Sequence, residues 1–170
     1  TSCCPGWVKF LEHQFPDLLY MPSTAKSPQQ MFGAIAKSYY AEKIGVKPQD
    51  IIVVSVMPCL AKKYEASRPE FSHDGVRDVD IVISTRELAD MIREAGIQFA
   101  ELDDQPYDSP LGDSTGAAVI FGATGGVLEA ALRTAADWLA KEDLQEIDFK
   151  AVRGIKGIKE ATVTIAGLEL

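Results

Sequence analysis

The run Ile51-Ile52-Val53-Val54-Ser55-Val56-Met57, stopped by Pro58 and followed by Cys59, constrains this chain more than any other segment. Six of these seven positions are apolar, most of them β-branched, and with Ser55 alone interrupting and no alternation of polar residues they predict a strand covered on both faces, as in parallel sheets. Proline ends it and places Cys59 at the carboxyl end of the strand, where open α/β sheets bind ligands. The segments around it alternate in the same way. Ser27-Pro28-Gln29-Gln30 has the form of a helix start: Ser as cap, Pro at the first helical position and Gln three residues after the cap. Met31, Phe32, Ile35, Ala36 and Tyr39 then supply an apolar stripe, and Gly45 can close the helix in the left-handed conformation.

Further along, Val79–Ser84 reads as a second buried strand. Ser84-Thr85-Arg86-Glu87 reads as a capping box, opening a helix with Leu88, Met91 and Ile92 on its inner face and Gly96 at its end. Residues 66–78 and 100–116 read as loops. Ala117–Phe121 reads as a strand that turns through Gly122-Ala123-Thr124-Gly125-Gly126 into a helix bearing Leu128, Ala131, Leu132, Ala135, Trp138 and Leu139. Ala151–Gly154 and Ala161–Ala166 are β-like. The sum is an α/β fold, a mostly parallel sheet flanked by helices.

Composition excludes several classes. Charged residues make up 25% and apolar residues 46% of the 170, as in globular proteins. No apolar stretch reaches bilayer length, so no membrane span is expected. The net charge of −8 and the lack of a basic stripe argue against nucleic acid as a partner.

Only three cysteines occur, Cys3, Cys4 and Cys59. An odd number without regular spacing is not a disulfide framework. Cys4 and Cys59 share a context, each in a turn beside a proline next to an apolar segment. They read either as metal ligands or as two buried free thiols. Lys62, three residues beyond Cys59, either donates to an anionic metal ligand or pairs with Glu65 in water. Gly122–Gly126 is either an anion-binding turn or a site of close backbone packing, and packing is favoured because the Lys-Ser/Thr of a P-loop is missing. His13 and His73 read as surface residues. A small zinc-binding structural module drawing on these cysteines and a histidine is possible by arithmetic, although adjacent cysteines do not easily share one tetrahedral ion.

Thr1-Ser2-Cys3-Cys4-Pro5-Gly6-Trp7 and Met57-Pro58-Cys59-Leu60-Ala61-Lys62-Lys63-Tyr64-Glu65 resemble the first two signature motifs of the catalytic domain of iron-only hydrogenases. Ser23–Gln30 and Phe121–Arg133 resemble the same family at the expected intervals. The resemblance implies reversible reduction of protons to dihydrogen at an H-cluster, a 4Fe–4S cubane joined to a di-iron subcluster that carries CO and cyanide. It implies Cys4 and Cys59 as cubane ligands, Cys3 as a proton-passing thiol with Ser23 further along that route, and Lys62 as a donor to cyanide. Pro28, Gln29, Met57 and Phe121 would line the pocket, and Glu65 would support it from behind. A cysteine thiol, with an ordinary pKa of about 8.5, suits proton relay near neutrality.

The resemblance further implies that residues 1–170 are the middle part of such a domain, without its upstream segment and its third cysteine motif. A complete H-cluster and hydrogen evolution are then not expected of this chain alone. The expected partners are the remainder of the hydrogenase chain and a ferredoxin or similar electron carrier, in the cytoplasm in preference to the periplasm. The competing class is a non-catalytic iron–sulfur assembly protein, disfavoured because Cys3 and Lys62 are both present.

Overall fold

A computed structural model describes residues 2–123 and 125–140, together with the backbone of 164–165 and 168–169. It divides into two units, residues 1–111 and 112–170. In the first unit, α1 (Pro5–Gln14) is capped by Cys4 and has Pro5 at its first position, where a missing N–H costs nothing. Helices α2 (Pro28–Ile35) and α3 (Ala41–Ile44) are joined by a π turn over Ala36–Tyr40, where the Ser38 hydroxyl donates back to the Ala34 carbonyl at 2.6 Å. Gly45 ends the rod at φ 70°, as its sequence position predicts.

Strand β1 (Val54–Met57) pairs in parallel with β4 (Ile81–Ser84), in the register Val54–Ile81 to Met57–Ser84. The connection holds α4 (Ala61–Ser67) and an antiparallel hairpin of β2 (Ser72–His73) and β3 (Val76–Arg77). Helix α5 (Thr85–Glu94) follows β4, with both bonds of the Ser84–Glu87 capping box formed. The first unit is therefore mixed α/β with a parallel strand pair flanked by helices, as read from the sequence.

Several details differ. The strand begins at Val54 because the backbone of Val53 is occupied elsewhere. Its N–H donates to the Asp80 carboxylate at 2.7 Å, and its carbonyl accepts from Asp80 N at 3.0 Å. The strand is also not covered on both faces: Val54 and Val56 are exposed and Ser55 and Met57 half-buried. Among the described residues β1 has one neighbour, and a two-stranded sheet cannot cover its own second edge and face. The second strand starts at Ile81, although Val79 is buried. The loop expected over 66–78 contains the end of α4 and the hairpin. Asp74 at φ 50° and Gly75 at φ 79° form its turn, the Asp-Gly signal for a tight hairpin.

The largest reversal concerns α2. Its expected apolar stripe is exposed at Met31, Phe32, Ile35 and Tyr39, with only Ala36 of that stripe buried. The buried face is Gln29, Gln30, Gly33 and Ala36. A Cβ on Gly33 would lie 2.2 Å from the carbonyl oxygen of Asp78. The helix thus packs its glycine side, not its aliphatic side, on the segment that leads into β4. The core beneath is small: Ala36, Val53, Ala66 and Val79, with Ile51 and Val82 against it. On α5, Leu88 and Ile92 are half-buried and Met91 is exposed.

In the second unit, α6 (Gly116–Ile120) stands where a strand was expected, and α7 (Gly126–Ala140) follows. An isolated apolar pentapeptide fits either state by periodicity, and the two alanines at its start favour the helix. Gly125 takes φ 81°, and a Cβ on Gly126 would come 1.8 Å from the Ile120 carbonyl. Close packing is therefore the reason for Gly126, as favoured above, and the left-handed turn the reason for Gly125. Helix α7 buries Glu129, Ala130 and Ala136, while Leu128, Trp138 and Leu139 of the expected inner face are exposed. Strands β5 (Thr164–Ile165) and β6 (Leu168–Glu169) form an antiparallel hairpin; β5 falls within the stretch expected to be β-like, and β6 follows it. Ala151–Gly154 lie outside the described residues. No helix among the described residues is long and apolar enough to cross a membrane.

Candidate functional site

The site grows from the two turns that carry the cysteines. Cys4 caps α1, and its Sγ accepts from the backbone N–H of Trp7 at 3.5 Å. Cys59 sits between β1 and α4, its carbonyl accepting from Lys62 N at 3.3 Å. Both side chains are exposed, which removes the reading of two buried free thiols; Cys3 is half-buried.

Helix α1 packs on α4, pinned at the far end by Arg68, which bonds Glu12 at 2.5 and 3.2 Å and also pairs with Glu70. The hydrogen bond from Arg68 holds the Glu12 carboxyl below the usual carboxylate range, and the Arg68 guanidinium is raised in turn by its bond to Glu12. Lys9 and Arg68 both lie over the Tyr64 ring, at 4.9 and 5.9 Å from its centre. At the near end Lys62 closes the contact. Its Nζ donates to the carbonyl of Cys3 at 2.6 Å and to Glu65 Oε1 at 2.9 Å. The turn bearing Cys3 and Cys4 is thereby tied to the first turn of α4, which directly follows Cys59.

Lys62 is 9% exposed and Glu65 3%. This is a buried ion pair, not the solvated one allowed by the sequence. Such a pair requires that its remaining polar capacity be filled, and on the Glu65 side it is. Glu65 Oε2 accepts from Ser27 Oγ at 2.7 Å, from Gln29 Nε2 at 2.8 Å and from Gln30 Nε2 at 3.4 Å. Gln29 is itself held: Ser55 Oγ donates to its Oε1 at 2.8 Å, and its Nε2 also donates to the Lys62 carbonyl at 3.3 Å.

Ser27 and Gln30 were read as helix-capping residues. The Ser27 hydroxyl makes no cap bond and turns to Glu65 instead. Ser55, inside an apolar run, gave no signal at all. Of the expected pocket residues, Pro28 is exposed and Met57 half-buried at the end of β1. Ser23 is exposed, with its carbonyl accepting from Ser2 Oγ at 2.9 Å and its hydroxyl accepting from Ala25 N at 3.1 Å. Phe121 belongs to the second unit and is partly exposed. His13 and His73 are exposed, as expected.

Among the described residues no three His, Cys, Asp or Glu side chains come together as a metal-binding group, so no complete zinc site is assembled from them. Two exposed thiols, on turns that the buried Lys62 ties together, fit an iron–sulfur centre in kind, since thiolates are its ligands. They fall short of its four ligands in number.

The model of the iron-only hydrogenase large subunit, C-terminal domain, matches residues 1–170. The chain belongs to the iron-only hydrogenase family. It is 64% identical over 170 residues to the NADP-reducing hydrogenase subunit HndD of Solidesulfovibrio fructosivorans, covering all of this chain and 29% of that protein. Cytosolic iron-sulfur assembly component 3 of Bos taurus is more distant, 35% identical over 173 residues, covering 98% of this chain and 36% of that protein. Among solved structures, apo FeFe hydrogenase HydA1 from Chlamydomonas reinhardtii superposes with a TM-score of 0.78 at 47% identity, over 96% of this chain and 41% of that one. The chain thus spans well under half the length of these members of the fold.

Proposed function

We propose that this chain supplies one wall of the H-cluster site of an iron-only hydrogenase, a wall that works in the reversible reduction of two protons by two electrons to dihydrogen. The observation that carries the reading is the Lys62 ammonium, buried on Glu65 and tied to Cys3 between the turns of Cys4 and Cys59. Burying a lysine as an ion costs several kcal/mol unless it is fully partnered. Its position beside two exposed thiols makes sense where an anionic group is to be held.

When bound, the H-cluster supplies the redox chemistry and the site of hydrogen formation. Cys4 and Cys59 would hold its cubane as two of the thiolate ligands. Lys62 would hold a cyanide by a charge-assisted hydrogen bond, strengthened because water is excluded around it. The Cys3 thiol would hold and release the proton beside the di-iron subcluster, and the Ser23 hydroxyl would pass it outward. Gln29, Met57, Pro28 and Phe121 would serve as walls, fixing position and keeping solvent away. Electrons would come from a ferredoxin-class carrier. The remaining ligands would come from hydrogenase sequence beyond these 170 residues, so the isolated chain is expected to hold no complete cluster and evolve no hydrogen.

The test separates ligands from relay in the full-length enzyme. Cys3→Ala should abolish most turnover while iron content stays stoichiometric. Cys4→Ala should lose the cubane, read as iron content and visible absorbance. Normal turnover in Cys3→Ala would refute the relay role, and a fully retained cubane in Cys4→Ala would refute the ligand role.

A further inference from the structure

We infer that Ser27, Gln29, Gln30 and Glu65 form a positioning cage that aims the Lys62 ammonium, so that Lys62 orients Cys3 as well as the bound anion. The part concerning the anion rests on the function proposed above; the part concerning Cys3 does not.

An ammonium has three N–H donors and a carboxylate about four acceptor positions. Glu65 uses its capacity unevenly: Oε1 takes Lys62, whereas Oε2 takes Ser27, Gln29 and Gln30. Three neutral donors on the far oxygen fix the plane of the carboxylate and leave the near oxygen for the ammonium. The donors are fixed in turn. Gln29 is gripped at both ends, by Ser55 on β1 and by the Lys62 carbonyl on α4.

Gln30 is fully buried, and its Oε1 has no partner among the described residues. Leaving a buried carbonyl unpaired carries a penalty. The amide accepts that penalty because the alternative would turn its oxygen toward the carboxylate. Its orientation is dictated by Glu65, which marks the cage as organised around the charge.

The Lys62 ammonium then places one N–H on Glu65 and one on the Cys3 carbonyl. Among the described residues these are its two acceptors, and under the function proposed above its third N–H would serve the bound anion. Side chains locked by such surrounding bonds hold functional groups in place more closely than packing alone. Four parts of the chain meet here: the start of α2, β1, α4 and the segment before α1. The cage therefore sets where Cys3 lies relative to the strand end that carries Cys59.

The test is amide hydrogen exchange in the metal-free full-length protein, followed by mass spectrometry over residues 4–10, with residues 88–94 of α5, which hold no cage residue, as internal reference. Lys62→Met should accelerate exchange over 4–10 about tenfold, the loss of one charge-assisted bond to Cys3. Glu65→Gln should do nearly the same with Lys62 still present. Ser27→Ala, which removes a single neutral donor, should give roughly threefold and guards against a Glu65 variant that fails to fold. Acceleration in Lys62→Met with none in Glu65→Gln or Ser27→Ala would overturn the cage, and so would equal acceleration over 88–94. No acceleration in any variant would overturn the tether to Cys3. The functional reading is judged separately, on the loaded enzyme. Unshifted cyanide vibrations in Lys62→Met would sink that reading while leaving the cage intact. Shifted vibrations with unchanged exchange would do the opposite.

Discussion

Lys62 and Lys63 are neighbours on one short helix, yet they live in different solvents. Lys62 faces inward and pairs with Glu65 among four further polar groups, the Cys3 carbonyl, Ser27, Gln29 and Gln30, whereas Lys63 pairs at 2.5 Å with Glu87 where both side chains are more than two-fifths exposed. The closer pair is the weaker one. At the surface, water screens the attraction and the chain must hold two long side chains still, so the gain is small. Inside, attraction is strong, but desolvation is too, and what matters is the cost of leaving a partner alone. The inner face of α4 therefore tolerates no single change, and the outer face tolerates most.

The largest expected effect comes from breaking the inner pair. Glu65→Ala leaves a buried ammonium without its counter-charge, takes the acceptor of Ser27 and Gln30 and one of the two acceptors of Gln29, and should destabilise the protein by about 3–5 kcal/mol in denaturant unfolding. The double variant Lys62→Met with Glu65→Met should recover part of that loss, since no buried charge remains. It should not recover all of it, because Ser27 still lacks an acceptor and Gln29 has lost one of two. Full recovery would show that the hydroxyl and amide donors are energetically idle.

Next is Gly33→Ala, on the helix that carries the cage. Its added Cβ would meet the Asp78 carbonyl at 2.2 Å. That neighbour is backbone, with Asp78 anchored by Lys26 at 2.5 Å and by its own N–H to the Phe71 carbonyl at 3.0 Å. The helix must move instead, costing about 1–3 kcal/mol and displacing Gln29 and Gln30. A loss of less than half a kcal/mol would mean that the contact has slack.

The same contrast explains what the sequence could reveal. Elements announced by local chemistry were legible: Pro28 opening α2, Gly45 closing α3, the Ser84–Glu87 box. So was the i, i+3 relation of Lys62 and Glu65, and the cysteine turns carried the family. What periodicity got wrong was which side is inside. The rule that the aliphatic stripe faces the core assumes that the cover for that stripe is at hand. On α2 the buried side is set by a glycine contact and a carboxylate, so Phe32 and Ile35 are exposed and Gln30 is not. Phe32 joins Tyr40, Ile51–Val54, Pro110 and Leu111 around an apolar cleft of about 250 Å³. Nothing local distinguishes Ser55 from its apolar neighbours. Its role exists only because Gln29 arrives from 26 residues away.

The smallest effect belongs to the outer face, and its sign can be worked out. Glu87 is held at about 2 from an ordinary value of 4.5, first by the hydrogen bond from Lys63 and then by the backbone N–H of Ser84. A carboxyl lowered on folding stabilises the native state above its unfolded pKa and loses that contribution as pH falls toward the folded one. The contribution of Glu87 is thus complete above about pH 4.5 and disappears progressively toward pH 2. Lys63→Ala removes the main cause and leaves the Ser84 bonds, so the folded value should rise part of the way and the pH-dependent loss should become smaller. Because both side chains are exposed, added salt should shrink the difference between wild type and Lys63→Ala. Thermal unfolding of the two proteins across pH 2–5, at low and high salt, reads this directly. A salt-independent difference as large as that of Glu65→Ala would mean that the outer pair is as sheltered as the inner one.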